Sequence, residues 1–372
     1  MTKRRRKIIN LIITLVLAAL LIPAAASQSC FAADEEARAQ EILDGMSLKD
    51  KVAQMMLVAM PSSDAADIQA QYQFGGYLLF GRDFAHNNRK GITKLLRSCQ
   101  KASDIPMLTA VDEEGGTVVR ASCYSQYRYT KFRSPRQVYR AGRFKGTVKD
   151  TKTKDRFLKS LGLNTNLGPV ADVPYNNGNF IYQRAFSTNA RNTGKFVRLT
   201  VTQMGEDNVV SCLKHFPGYG NNGDTHGSVI RDSRSRRCFR TRDLKPFKQG
   251  IKAGADMIMV SHTVVDAFDK KRPASLSPKV ISYLRNEMCY DGVIITDGLG
   301  MKGLTEYAGG SSAEAAVRAV EAGNDMLCVT VDHSKCFKAL VKAVRNGRIS
   351  KAQINDSVKR ILIMKIRRGL IK

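Results

Sequence analysis

The sequence predicts an α/β protein, a single (β/α)8 barrel of the TIM type. Three observations predict it. Eight short apolar runs recur along the 372 residues. Amphipathic, helix-like segments separate them. Polar, ionisable residues fall one after another at the C-terminal ends of the runs, where barrel enzymes carry their active sites. The rival architecture is a doubly wound open sheet, which would need a glycine-rich dinucleotide turn. The glycines of Asp112-Glu113-Glu114-Gly115-Gly116 follow acids where phosphate would have to bind, which argues against that rival.

The runs lie at residues 54–59, 76–80, 107–111, 165–170, 209–214, 257–261, 293–296 and 325–329. Each is short, bounded by turn residues and rich in Val, Ile, Leu or Met, as a strand buried on both faces should be. The first is ambiguous, because residues 50–56 also suit a helix. The clearest helices are 92–103, 149–161, 246–253, 278–288, 313–322, 335–346 and 351–369. Gly254, Gly323 and Gly347 stand where helix C-caps belong, and Ser311 or Ser312, Ser334 and Ser350 where N-caps belong. Residues 34–47 read as a helix ahead of the barrel. Residues 120–148, basic and carrying aromatics and glycine, read as an insertion after the third strand. The sequence contains no evident internal repeat.

The first 33 residues read as a secretory signal peptide, with residues 34–372 as the catalytic barrel. Five cations at residues 3–7 precede an apolar run over 8–26 and a small-residue zone ending at Ala32 and Ala33. The run is nearly long enough to span a bilayer, so cleaved leader and uncleaved anchor are the two alternatives. Either way the expectation is export, to the exterior, the cell wall or the membrane surface. Ser27, three residues before Cys30, stands where a lipidation signal wants an aliphatic residue. The eight cysteines form no CxxC pair, and Cys212 and Cys328 sit in apolar runs as buried thiols would.

The net charge of +27 falls to about +22 without the leader's cations. Lysines and arginines are spread through helices and loops, and no nucleic-acid motif accompanies them, so nucleic-acid binding ranks last. Attraction to anionic cell-wall polymers is the better reading.

Asp112 ends the third run; Asp172 and Arg184 follow the fourth. Lys214 and His215 end the fifth, with Asp224 and His226 in its loop; His262 ends the sixth and Asp297 the seventh. An acid two residues before a histidine can fix its tautomer and leave the other nitrogen to move a proton near neutral pH. Asp297, delivered by an apolar strand with small residues behind it, suits a nucleophile. The histidines lack metal-ligand spacing, so no metal or other cofactor is expected.

Lys214-His215-Phe216-Pro217-Gly218 with Asp224-Thr225-His226, the earlier Asp112-Glu113-Glu114-Gly115-Gly116 and the later Ile295-Thr296-Asp297-Gly298-Leu299-Gly300-Met301 resemble the β-N-acetylhexosaminidases of glycoside hydrolase family 3, of the NagZ type. The resemblance runs from about Leu43 to the C-terminus. It implies an exo-acting retaining enzyme that removes terminal β-linked N-acetylglucosamine from cell-wall or chitin-type oligosaccharides. By position Asp297 resembles the nucleophile, His226 the acid/base and Asp224 its orienting partner. Lys214, His215, Asp112, Arg120 and Arg184 resemble the substrate ligands. The β-glucosidase branch takes a glutamate from a second domain, for which this chain is too short. Tyr219 and Gly298 depart from the common pattern, standing for a histidine and a second aspartate. A β-N-acetylglucosaminide phosphorylase and a non-catalytic wall-glycan-binding barrel are the alternative readings; a monomer is expected.

Overall fold

The structure is a computed structural model that describes residues 33–225 and 227–372. Residues 1–32, which hold Cys30 and nearly all of the expected leader, and His226 lie outside the described residues. The chain divides into two compact units, Met1–Gly45 and Met46–Lys372. In the first, residues 33–45 are helical.

The second unit is a closed parallel barrel. Its strands are β1 (Met56–Ala59), β2 (Gly76–Leu79), β3 (Leu108–Val111), β4 (Thr165–Asn166), β5 (Val210–Phe216), β7 (Met257–Val260), β9 (Val293–Gly298) and β10 (Met326–Val329). They pair in that order, and β10 closes on β1 through Leu57 and Cys328. All eight predicted strands are therefore present. A separate two-stranded sheet, β6 (Arg231–Asp232) with β8 (Val264–Val265), ties the loop after β5 to the loop after β7.

Strand length departs from expectation at β4, where pairing stops at Asn166. Pro169 has no N–H to offer a ladder, and Val170 rejoins only through a single bridge to Lys214. The ambiguity at the first run resolves into both elements: helix Leu48–Gln54, capped by Ser47, precedes β1. Gly76 opens β2 because the strands are close there. A Cβ at this position would lie 2.6 Å from both Cβ and the carbonyl oxygen of Leu108.

The expected helices are present, and others join them, two of which have eight residues or more. Ala65–Tyr72 is bounded by Asp64 and Gln73 in left-handed backbone, with no glycine to mark either end. Ala190–Glu206 carries β-branched residues of modest helix propensity, yet buries Phe196, Val197, Val201 and Met204 along one face. The insertion is irregular in its first half and again at Arg143, where φ 51° and ψ −153° break the helical stretch Pro135–Ser160 that begins inside it. Gly254, Gly323 and Gly347 have positive φ, as helix-ending glycines do. Ser350 and Ser311 cap as expected, but Ser334 does not. The N-cap of His333–Arg345 is Asp332, whose carboxylate accepts the Lys335 N–H at 3.0 Å. A carboxylate is as good a cap as a hydroxyl, so only the register separated the two.

Cys212 and Cys328 are buried, and the seven described cysteines are all free thiols. Among the described residues no helix is long and apolar enough to cross a membrane.

The final helix, Lys351–Arg367, packs on Leu48–Gln54 and buries Lys365 completely. Its ammonium reaches Gln54 Oε1 at 2.7 Å, and burial pushes its pKa down to about 7. The unfolded chain therefore binds the proton more tightly between about pH 7 and pH 10, so this group makes stability rise with pH across that window. Lys365→Met should raise the free energy of unfolding at pH 7, by up to a few kcal/mol, and flatten its rise between pH 7 and 10. Unfolding curves across that range check both effects.

Candidate active site

The strand ends open into a cavity of about 740 Å³. Asp112, Arg120, Arg184, Lys214, His215, Asp224 and Asp297 all line it, so seven of the eight proposed site residues meet in one place. The eighth, His226, lies outside the described residues.

Lys214 organises the floor. It is 2% exposed, and its ammonium donates to Asp112 Oδ1 at 2.6 Å and Glu114 Oε1 at 2.8 Å. Burial alone would lower its pKa, but the carboxylates of Asp112 and Glu114 outweigh that and hold it above the ordinary value. Arg120 lies 3.8 Å from Asp112 Oδ2 on the outer side. Arg184 forks onto Glu114 through Nε at 3.0 Å and Nη2 at 2.7 Å. Burial would neutralise Glu114, yet Lys214 and Arg184 hold its carboxyl well below the usual range.

The network continues through His215. Arg184 Nη2 lies 3.2 Å from His215 Nε2. A guanidinium can only donate, so Nε2 accepts and the ring proton sits on Nδ1. Nδ1 donates to Asp172 Oδ2 at 2.7 Å. Asp172 also accepts the backbone N–H groups of His215 at 3.0 Å and Tyr219 at 2.7 Å. It therefore works from behind the cavity wall. Both His215 ring nitrogens have protein partners, so this imidazole holds Arg184 in place while its edge faces the cavity.

Asp297 comes from the C-terminal end of β9, and its Oδ1 accepts the Gly298 N–H at 2.8 Å. It does not cap the helix that follows, whose N-cap is Met301. Burial would raise its pKa. The Gly298 N–H and the Lys214 ammonium help to outweigh that and lower it, so Asp297 is ionised at neutral pH. His262 stays out of the cavity. Its Nε2 donates to the Gly298 carbonyl at 3.0 Å, while Ser275 Oγ lies 2.7 Å from Nδ1. His262 thus fixes the peptide that carries the carboxylate.

Asp224 stands on the loop after β5. Tyr219, on the same loop, has its hydroxyl 2.6 Å from Thr225 Oγ1, which pins the loop beside Asp224. Gly303, in the helix after β9, lets that loop pass: a Cβ there would come within 2.5 Å of the Ser228 backbone.

Sequence reasoning missed three contributors. Glu114 was visible two residues after Asp112, on the same side of an extended chain. Glu113 points the other way and accepts from the backbone of Arg120 and Ala121 at 3.0 and 2.9 Å and from the Ser122 hydroxyl, shaping the loop that presents Arg120. Gly303 had no local signal, because its partner lies 75 positions earlier in the chain.

Residues 47–364 match the family model described as the glycosyl hydrolase family 3 N terminal domain. The chain belongs to glycosyl hydrolase family 3. It is similar to beta-hexosaminidase A of Pseudoalteromonas piscicida, with 28% identity over 81% of this chain and 55% of that protein. It is also similar to an uncharacterized secreted glycosyl hydrolase of Arthroderma benhamiae, with 29% identity over 82% of this chain and 89% of that one. Among solved structures, a family 3 beta-N-acetylglucosaminidase from Paenibacillus sp. str. FPU-7 superposes with a TM-score of 0.81 at 30% identity, over 88% of this chain and 63% of that one. The chain thus spans 55% of the length of this beta-hexosaminidase A and 63% of that of this beta-N-acetylglucosaminidase.

Glu114 provides a direct test of the network. Glu114→Ala leaves Lys214 and Arg184 with one carboxylate fewer in a buried setting. It should cost about 3–5 kcal/mol of stability at pH 7. Because the folded-state pKa of Glu114 is lowered, the gap between wild type and variant should close as the pH falls below about 4. Denaturant titrations at pH 7 and pH 3 check this.

Proposed function

We propose that this family 3 chain is an exported, exo-acting β-N-acetylhexosaminidase that releases terminal β-linked N-acetylglucosamine by double displacement. The observation that carries the reading is the ionised Asp297 in one cavity with the Asp112–Lys214–Glu114–Arg184 network and the Asp224 loop. The hexosaminidase and glucosaminidase relatives support the same activity. The secreted relative and the leader-like first 33 residues support export.

The mechanism follows from the charges. Asp112, Lys214, Arg120 and Arg184 orient the sugar hydroxyls, the Asp112 carboxylate accepting and the cations donating. Asp297 attacks the anomeric carbon, and the glycosidic bond breaks as the leaving oxygen takes a proton from His226. Asp224 stabilises the protonated imidazole beforehand. The now neutral His226 then removes a proton from water, which displaces Asp297 and regenerates both groups. Two inversions give net retention. The lowered pKa of Asp297 keeps the nucleophile charged without help from the substrate.

The purified protein should turn over an aryl β-N-acetylglucosaminide with kcat/KM at least about a hundredfold above an aryl β-glucoside. Rates with and without inorganic phosphate, and the products formed, separate hydrolysis from phosphorolysis. Asp297→Asn should abolish turnover with the melting curve preserved, and a 2-fluoro sugar should label Asp297. Labelling of Asp112 or Glu114 would overturn the assignment.

His226→Ala should slow hydrolysis by about two to four orders of magnitude. The loss should shrink for aryl groups that leave readily, since these need less protonation. Equal losses across a leaving-group series would remove His226 from the proton-transfer role.

A further inference from the structure

Beside the catalytic cavity lies a second concave surface, a groove of about 530 Å³. Lys131, Arg133, Arg136 and Arg140 line it together with Thr117 and Tyr182. The two depressions share their border. Residues 116 and 117 belong to the groove while Val118 and Arg120 line the cavity, and Gln183 belongs to the groove while Arg184 lines the cavity.

The groove is strongly cationic for a reason visible in the chain. Residues 115–149 contain nine lysines and arginines and no aspartate or glutamate. Among the described residues no carboxylate pairs with Lys131, Arg133, Arg136 or Arg140, although Arg120, in the same stretch, does pair with Asp112. Lys131, Arg133 and Arg140 are exposed. Arg136 is half-buried and fixed. Its guanidinium stacks 3.7 Å from the Tyr182 ring centroid and donates to the carbonyls of Tyr182, Ala185 and Phe186, each at 3.3 Å. Carbonyls hold a guanidinium without neutralising it, so a preorganised positive charge remains on the groove wall. The arrangement is dominated by arginine, whose planar fork matches phosphate oxygens.

We propose that this groove docks the phosphodiester backbone of an anionic polymer, and that the polymer presents its sugar substituents to the adjoining cavity. The second half rests on the glycosidase reading; the docking itself does not. A concave site admits a single strand to the fixed Arg136, whereas a flat bilayer meets only the exposed rim. The docking deepens the function by naming the substrate class: N-acetylglucosamine carried on a phosphate-containing chain.

The test measures binding without turnover. The probe is inorganic polyphosphate, titrated into the full chain by calorimetry at several salt concentrations. The triple variant K131Q/R133Q/R140Q should lose about tenfold or more in affinity and show a shallower salt dependence. A control triple, K338Q/K342Q/R345Q, removes three exposed cations from the helix after β10 and should change affinity less than about twofold. Lys131→Gln and Arg140→Gln alone should each carry part of the groove loss, which separates a local contact from misfolding of the triple. Aryl glycoside turnover should be the same in the groove triple as in wild type. Equal losses in the two triples would overturn the proposal, because the attraction would then be a diffuse property of a basic protein. An unchanged affinity in the groove triple would overturn it as well. So would a groove triple that loses binding to phosphatidylglycerol vesicles but not to polyphosphate, because the groove would then serve a membrane. Failure of glycoside turnover with polyphosphate binding intact would instead sink the glycosidase reading alone.

Discussion

A buried ammonium between two carboxylates is the constraint on which the site depends. Lys214 sits on β5, Asp112 and Glu114 follow β3, and Arg184 comes from the loop after β4. None of these groups tolerates burial alone. Removing one partner of a buried ion pair leaves an uncompensated charge, which costs far more than a surface pair contributes. Strand β5 and the connections after β3 and β4 are thereby held to one geometry. The alternation of charge from Arg120 through Asp112, Lys214, Glu114 and Arg184 to His215 and Asp172 lets each group stay in its required state.

A similar constraint governs Asp297, the carboxylate proposed to react. Asp297 must be charged, close to the ligand and stationary. Lys214 and the Gly298 N–H help to hold it charged, and the strand end supplies the approach. The Gly298 peptide is clamped from both sides: its N–H donates to Asp297 and its carbonyl accepts from His262. A buried histidine outside the cavity lining thus braces the residue next to Asp297, the proposed nucleophile.

The loop after β5 is built on a different principle. Asp224 is exposed, and the loop is held at discrete points: Tyr219 to Thr225, the β6–β8 pairing, and the close passage of Gly303. Held at these points, the loop presents Asp224 at the mouth of the cavity whose floor carries Lys214 and its ion pairs.

By itself the sequence determined the barrel. A strand buried on both faces must be apolar and short, and a crossover helix must carry an apolar stripe, so eight runs and their spacing carry the topology. It also determined which residues meet at the mouth, because a position at a strand's C-terminal end is a position at the mouth. Only the tertiary structure decided how those residues divide. Asp112 and Glu114 both fall at the end of β3, yet Asp112 lines the cavity while Glu114 is sealed behind it between Lys214 and Arg184. His215 and His262 end neighbouring barrel strands, yet one faces the cavity and the other braces Gly298. Hydrogen-bond partners, tautomers and charge states are set by groups that lie tens to hundreds of positions apart in sequence. Local pattern determines where a side chain begins; only the packed neighbours decide what it touches.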